Sequence, residues 1–344
     1  MRLLIVTQTV DTKDTRLSFF HAWIKKIAGH FDAVEVICLY EGTHTLPSNV
    51  IVHSLGKEKG SASKLQYSLR FLRLIWRLRN RYDRVFVHMN QEYVLLGGLF
   101  WKALGKNVYL WRNHYAGSFL TRMAVWFSTR VFCTSVHSYT ARFTKTTLMP
   151  VGVELELFTR ASAERKENTI LFFGRMTPSK RPDLLIEALI LLAKEGTPFT
   201  ATFCGPVLRE HTAYVYALKK RITENSLEDS VVFLDGIPHA QTPQLYAEHD
   251  VYVNLGASGM FDKTLFEASA SGCLVVATSD DFQKRLGESH PITSETPEGL
   301  ASSLEWLLTL SPDEKAHLRA ELRKTAEKES LDALISAVSS AILA

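Results

Sequence analysis

What most constrains this chain is a set of short, continuously apolar runs separated by stretches of helical length. In the first half they are LLIVTQ at 3–8, VEVICLY at 34–40, RVFVHM at 84–89, NVYLW at 107–111 and RVFCTS at 130–135. The second half repeats the plan with TILFFG at 169–174, FTATFCG at 199–205, VVFLDG at 231–236, VYVNL at 251–255 and CLVVAT at 273–278. Strands covered on both faces show such unbroken Val, Ile and Phe runs, whereas half-exposed strands alternate. Between them lie helix-like stretches near 17–29, 62–81, 92–104 and 118–129, then near 181–195, 211–225, 242–249, 262–271 and 297–308. This order predicts an α/β chain whose parallel strands are joined by right-handed helical crossovers into doubly wound sheets.

Two such sheets are expected, because 344 residues exceed what one hydrophobic core usually serves. The boundary falls near 149–168, where MPVGVELELF runs into the polar ASAERKEN. Residues 1–150 and 151–330 are the two expected domains, and 331–344 reads as a C-terminal helix whose candidate partner is the first domain. No apolar run reaches the roughly 18–20 residues needed to span a bilayer, and the N-terminus enters a strand-like MRLLIVTQ at once, so no secretory signal is expected. Cys38, Cys133, Cys204 and Cys273 are scattered in apolar segments without metal-site spacing, which predicts buried, reduced thiols and a cytoplasmic protein.

The net charge of +4 hides an asymmetry. Residues 1–150 hold 21 Lys and Arg against 8 Asp and Glu, a balance of +13, whereas 151–344 hold 19 against 28, a balance of −9. A split of this size predicts that the first half faces something anionic. Its most basic segment is SKLQYSLRFLRLIWRLRNR at 63–81. On a helical wheel Arg70, Arg73, Arg77 and Arg81 share one stripe, beside Trp76 and several leucines. Such a stripe suits an anionic membrane surface; a sheet-covering helix with solvated arginines is the alternative. Nucleic acid is not expected, since no recognised reader module accompanies the charge.

Ligands of open α/β sheets bind beyond the carboxyl ends of the strands. In the second half, Gly174, Gly205 and Gly236 each end a strand and allow close approach of a ligand to backbone. Arg175 and Lys180 stand on the turn after Gly174; two cations there suit a diphosphate, and ordinary solvated charges are the alternative. Gly236-Ile237-Pro238 makes a turn that suits a nucleobase. After strand 251–255 a helix is expected to begin near Asp262, so that the N–H groups of Lys263, Thr264 and Leu265 offer an anion site. Glu267 is placed to accept from ribose hydroxyls, or else is a first-turn carboxylate favoured by the helix dipole.

Taken together, these segments resemble glycosyltransferase family 4, the retaining group 1 glycosyltransferases of the GT-B fold. PVGVELELF is similar to the family's interdomain segment. ILFFGRMTPSKRPDLLIEAL is similar to its diphosphate loop, with Arg175 and Lys180 on the phosphate-binding Arg and Lys. LYAEHDVYVNLGASGMFDKTLFEASASGCLVV resembles the donor-site block, with Glu267 on the second glutamate of Glu-x7-Glu. The first glutamate falls at Gly259, so that motif is broken, although Asp262-Lys263 fits a subgroup with Asp-Lys before the helix.

The resemblance implies two Rossmann-like domains facing a central cleft, a nucleotide-sugar donor, a saccharide or lipid-linked acceptor, and retention of anomeric configuration. It implies no cofactor, and with no Asp-x-Asp in the chain no metal is expected. Arg175 and Lys180 are then catalytic candidates together with His114, at a position where relatives carry a His near the donor sugar. The first loop, TQTVDTKDTRLSFF, lacks the usual glycines and offers Asp11, Asp14 and Arg16, which with His88 are acceptor-side candidates. The enzyme is expected in glycan or polysaccharide biosynthesis, cytoplasmic or peripheral on the inner membrane face. A GT-B nucleotide-sugar epimerase and a catalytically inactive sugar-binding or scaffold relative are the other readings.

Overall fold

The computed structural model describes residues 1–14, 17–60, 62–159, 164–258, 263–286 and 295–344. The chain divides into two compact units, Met1–Pro150 with Leu331–Ala344, and Val151–Ser330.

Unit 1 runs β1 (Arg2–Val10), α1 (Phe19–Ala28), β2 (Ala33–Glu41), β3 (Val50–Ser54), α2 (Lys64–Arg77), β4 (Arg84–His88), α3 (Gln91–Ala103), β5 (Asn107–Trp111), α4 (Phe119–Phe127), β6 (Arg130–Cys133) and β7 (Thr146–Leu148). Its seven strands are parallel in the order β3-β2-β1-β4-β5-β6-β7. Alternation along β1 sends Leu3 and Ile5 to one face and Leu4 and Val6 to the other. Both faces are buried, the first with α1 and a C-terminal helix, the second with α2, α3 and α4. Covering on both faces is why these strands read as unbroken apolar runs.

Unit 2 runs α5 (Leu155–Thr159), β8 (Thr169–Phe173), α6 (Pro182–Glu195), β9 (Thr200–Cys204), α7 (Thr212–Thr223), β10 (Val231–Leu234), α8 (Thr242–Glu248), β11 (Val251–Asn254), α9 (Lys263–Ala270), β12 (Leu274–Ala277), α10 (Asp280–Leu286), α11 (Pro297–Thr309) and α12 (Pro312–Lys328). Its five strands are parallel in the order β10-β9-β8-β11-β12. The chain then returns to unit 1 as α13 (Leu331–Leu343), which buries Leu334, Ile335, Val338 and Ile342 against the core that holds Trp23 and Phe86. The strand order reverses between β1 and β4 in unit 1 and between β8 and β11 in unit 2. A crevice at the carboxyl ends of such a pair is where ligands of doubly wound sheets sit.

Several elements differ from expectation. Strands β3 and β7 were not anticipated: VIVHS has an apolar run of only three residues, none of them buried, as on an edge strand, and TTL is too short and polar to stand out. Helix α12 was also missed, because PDEKAHLRAELRKTAEK carries charge almost all round. It is set by a capping box in which Ser311 and Glu314 satisfy each other's backbone N–H, with Pro312 in the first turn. Helix α2 stops at Arg77 rather than 81, after a capping box at Ser63 and Gln66. Arg81 therefore leaves the expected stripe and lies 3.6 Å from Glu35. All four cysteines are free and buried.

Candidate active site

In unit 2 the three strand-end glycines are neighbours across β8, β9 and β10. The ladder continues through them, with Gly174 N–H donating to Cys204 O at 3.0 Å and Gly205 N–H to Leu234 O at 3.1 Å. Gly205 has a stringent reason to be glycine: a Cβ there would lie 1.8 Å from Gly174 O. At Gly236 an added Cβ would press on the Pro206 ring at 2.9 Å. Ile237 turns inward and packs on the unit's core.

Beyond Gly174, Arg175 is exposed, and its carbonyl accepts the Thr177 N–H at 2.9 Å. A short 3-10 turn, Pro178–Lys180, follows. It carries Lys180 to β11: the Lys180 ammonium lies 3.7 Å from where a Cβ on Gly256 would stand. Lys180 thus meets the backbone after β11, across the point where the strand order reverses. The turn from β11 into α9 is tied by side chains. Asn254 Oδ1 accepts the Gly256 N–H at 3.0 Å, and Thr264 Oγ1 accepts from Tyr252 OH at 2.7 Å and from Asn254 Nδ2 at 3.1 Å. Helix α9 begins at Lys263, so its first N–H groups fall at Lys263, Thr264 and Leu265, with the Leu265 side chain fully buried. Asp262 and Gly259 lie outside the described residues.

Glu267 is the fifth residue of α9, past the first turn, so a first-turn dipole partner is a poor description of it. It is 3% exposed, and its Oε1 stands 3.5 Å from His239 Nε2 and 3.8 Å from Lys263 Nζ. His239 was missed by sequence reasoning, although the signal was there: it stands three residues past Gly236, at the end of the Gly-Ile-Pro turn. Its ring also meets Phe158 edge-on, 6.0 Å between centroids. The result is a buried carboxylate steadied by two basic side chains at the ligand end of the sheet, a geometry suited to vicinal hydroxyls.

Unit 1 sorts its candidates differently. His114 follows β5, is half-buried, and its Nδ1 accepts the Ala116 N–H at 2.9 Å while the ring stacks on Tyr115 at 4.7 Å. His88 does not line a ligand surface. It is 1% exposed, stacked on Phe20 with centroids 3.7 Å apart, and hydrogen-bonded through Nδ1 to Thr7 Oγ1 at 3.2 Å. The last residue of β4 points under α1 instead of out of the sheet's end, and burial drives its pKa down to about 3. Asp11 and Asp14 shape their own loop. Asp11 Oδ1 accepts the N–H groups of Lys13 at 3.0 Å and Thr43 at 3.2 Å, and Asp14 Oδ1 that of Leu17 at 2.7 Å. Arg16 lies outside the described residues. Among the described residues, no three His, Cys, Asp or Glu side chains are grouped to hold a metal ion.

Comparison with known proteins identifies the family and the fold. The family profile of glycosyl transferases group 1 matches residues 155–329, which is unit 2 almost entire. The lipopolysaccharide core biosynthesis mannosyltransferase LpcC of Rhizobium leguminosarum is 30% identical over 166 residues, 46% of each chain. The GtfA subunit of the UDP-N-acetylglucosamine–peptide N-acetylglucosaminyltransferase of Streptococcus pneumoniae is 27% identical over 177 residues, 49% of this chain and 33% of that one. The chain thus spans less than half the length of these curated relatives. Among solved structures, HepE of Anabaena in complex with UDP superposes over 100% of both chains with a TM-score of 0.78 at 19% identity, a likeness of GT-B fold. With its profile covering just over half of the 344 residues, the chain belongs to the group 1 glycosyl transferases.

Proposed function

We propose that the protein is a retaining glycosyltransferase that moves a sugar from a nucleotide-sugar donor to a saccharide or lipid-linked acceptor in glycan biosynthesis. The observation that carries this reading is the gathering of Lys180, Gly256 and α9, with Glu267 and His239, at the carboxyl ends of β8 and β11. The UDP held by the structurally similar Anabaena protein supports a nucleoside diphosphate as ligand. Arg175, Lys180 and the first N–H groups of α9 would hold the diphosphate, and Glu267 the ribose. In the reaction, the bond from the anomeric carbon to the diphosphate oxygen breaks while the acceptor oxygen bonds to the same face. The acceptor proton passes to the leaving diphosphate, so no strong protein base is required. The charge growing on the leaving group is met by fixed cations and backbone dipoles, and no metal ion is invoked.

Incubation with a panel of nucleotide sugars tests this. Transfer or slow donor hydrolysis is expected. Epimer formation would mean an epimerase, and binding without turnover an inactive relative. Arg175→Ala and Lys180→Ala should each lower turnover by roughly 10²-fold or more. Near-normal turnover in both would overturn the site.

A membrane-facing role for unit 1 is favoured by what α2 leaves exposed. The helix buries only Phe71 and Ile75, whereas Leu65, Leu69 and Trp76 are 68%, 54% and 57% exposed. Phe119 and Trp126 of α4 are exposed as well, with the Lys102 ammonium 3.8 Å over the Trp126 ring. An apolar surface of this kind studded with Arg73 and Arg77 suits the interface of an anionic bilayer. No described helix is long and apolar enough to cross a membrane. This reading fits a lipid-linked acceptor.

A further inference from the structure

A cavity of about 470 Å³ opens at the opposite end of the unit 2 sheet from the proposed donor site. It is lined where the chain enters β8 and β11, by Arg165, Asn168 and Asp250, and by Lys315 and Arg319 of α12. The strands of this sheet are four or five residues long, so the two ends are on the order of 15 Å apart.

Its charges do not balance. Asp250 is fully buried and takes two cations, Lys315 Nζ at 2.9 Å and the Arg319 guanidinium. Lys315 is itself 7% exposed, whereas the Arg319 side chain is 25% exposed, so the surplus positive charge sits where the cavity meets the buried Lys315–Asp250 pair. Arg165 adds a third cation, spent on neutral partners: it donates to His249 O and, at 2.8 Å, to Ser271 O. Among the described residues the only other carboxylate lining the cavity is Glu167, which is exposed. Arg319 Nε is buried with no hydrogen-bond partner among the described residues. Buried cations in excess over carboxylates are costly unless an anion joins them. Arg319 Nε is itself shut off from the cavity, so the surplus of cations, and not this donor, is what calls for an anion. Leu308, Leu310 and Pro312 form an apolar wall, and the volume lies within the 300–1,000 Å³ common for small-molecule sites.

We propose that this cavity is a second ligand site, which takes a small molecule bearing a phosphate group. Arg165, Lys315 and Arg319 meet the phosphate, and the leucine wall accommodates the rest of the molecule. The site is linked to the donor end through a single element. Arg165 caps the carboxyl end of α9 at Ser271, and the same helix carries Lys263, Thr264 and Glu267 at its other end. An anion that draws on Arg165 therefore acts on the helix that holds the donor.

Titration of the full chain with inorganic phosphate, at ionic strength matched with chloride, tests the proposal without reference to any transferase activity. Calorimetry and thermal melting should show saturable binding and a rise in melting temperature. Arg319→Gln should weaken phosphate binding at least tenfold. Leu310→Trp, which narrows the cavity and leaves every cation in place, should exclude a larger phosphorylated probe such as glucose 6-phosphate. Arg175→Ala, at the donor end, should keep the part of phosphate binding that Arg319→Gln removes. Absence of saturable binding overturns the proposal. So does phosphate binding that survives Arg319→Gln unchanged or is lost in Arg175→Ala, since phosphate would then occupy the donor site, and so does glucose 6-phosphate binding that survives Leu310→Trp.

Discussion

The His88 imidazole lies flat on Phe20, with Trp23 and Phe19 around it, and its Nε2 has no hydrogen-bond partner among the described residues. Burial keeps the ring neutral, with its pKa lowered from 6.5 to about 3. The unfolded chain binds a proton here below about pH 6.5, and the folded chain does not until about pH 3. Stability from this group is therefore complete above pH 6.5 and is lost as pH falls, at up to about 1.4 kcal/mol per pH unit. His249, also shifted down by burial, adds in the same direction. His88→Phe should flatten the dependence of unfolding free energy on pH between 4 and 6 by close to one proton. Chemical denaturation across that range measures it, and an unchanged slope would show that His88 titrates normally. Whether a strand-end histidine meets ligand or core cannot be read from its position in sequence, since it depends on which helix covers it. The strand-end turn that bears Arg175 and Lys180 and the helix that bears Glu267 were legible, because turn, spacing and strand end are local features. His239 was not, because its relation to Glu267 spans 28 residues of chain.

At the scale of the element, α2 shows what a helical wheel captures and what it omits. Periodicity found the apolar and basic sides, but the capping box and the stop at Arg77 set which arginines belong to the helix. Arg70 donates to Leu55 O at 2.7 Å, Arg81 faces Glu35 and Arg79, past the helix end, lies 4.4 Å over the Trp76 ring, which leaves Arg73 and Arg77 as exposed cations on the helix itself. Each should contribute on the order of 1 kcal/mol toward an anionic bilayer. Arg73→Gln with Arg77→Gln should then markedly reduce sedimentation with phosphatidylglycerol vesicles, as should raised salt, because exposed charges are screened within about 10 Å at 0.1 M. Donor hydrolysis, proposed to depend on residues of unit 2, should be unaffected. If the unmodified chain ignores such vesicles at low salt, the exposed face of α2 serves something else.

At the scale of the whole molecule, the chain closes unit 1 with its last helix after completing unit 2. Helix α13 buries Leu334, Ile335, Val338 and Ile342 within the core of residues 1–150, and Lys26 Nζ pairs with Asp332 at 2.5 Å. Leu334→Ala should cost unit 1 about 2–5 kcal/mol, read as an earlier unfolding transition for that unit, with the transition of unit 2 unmoved. Loss confined to unit 2 would contradict the packing. The sequence by itself determined the two doubly wound sheets, the central strands and the cation-bearing turn after β8. Those follow from apolar runs, glycines and short spacings, which act locally. Only the tertiary structure decided the edge strands, the burial of His88, the His239–Glu267 contact and the cation cluster on Asp250. In each of these the deciding partner comes from a distant part of the chain: for Asp250, a buried carboxylate draws Lys315 and Arg319 across more than 60 residues.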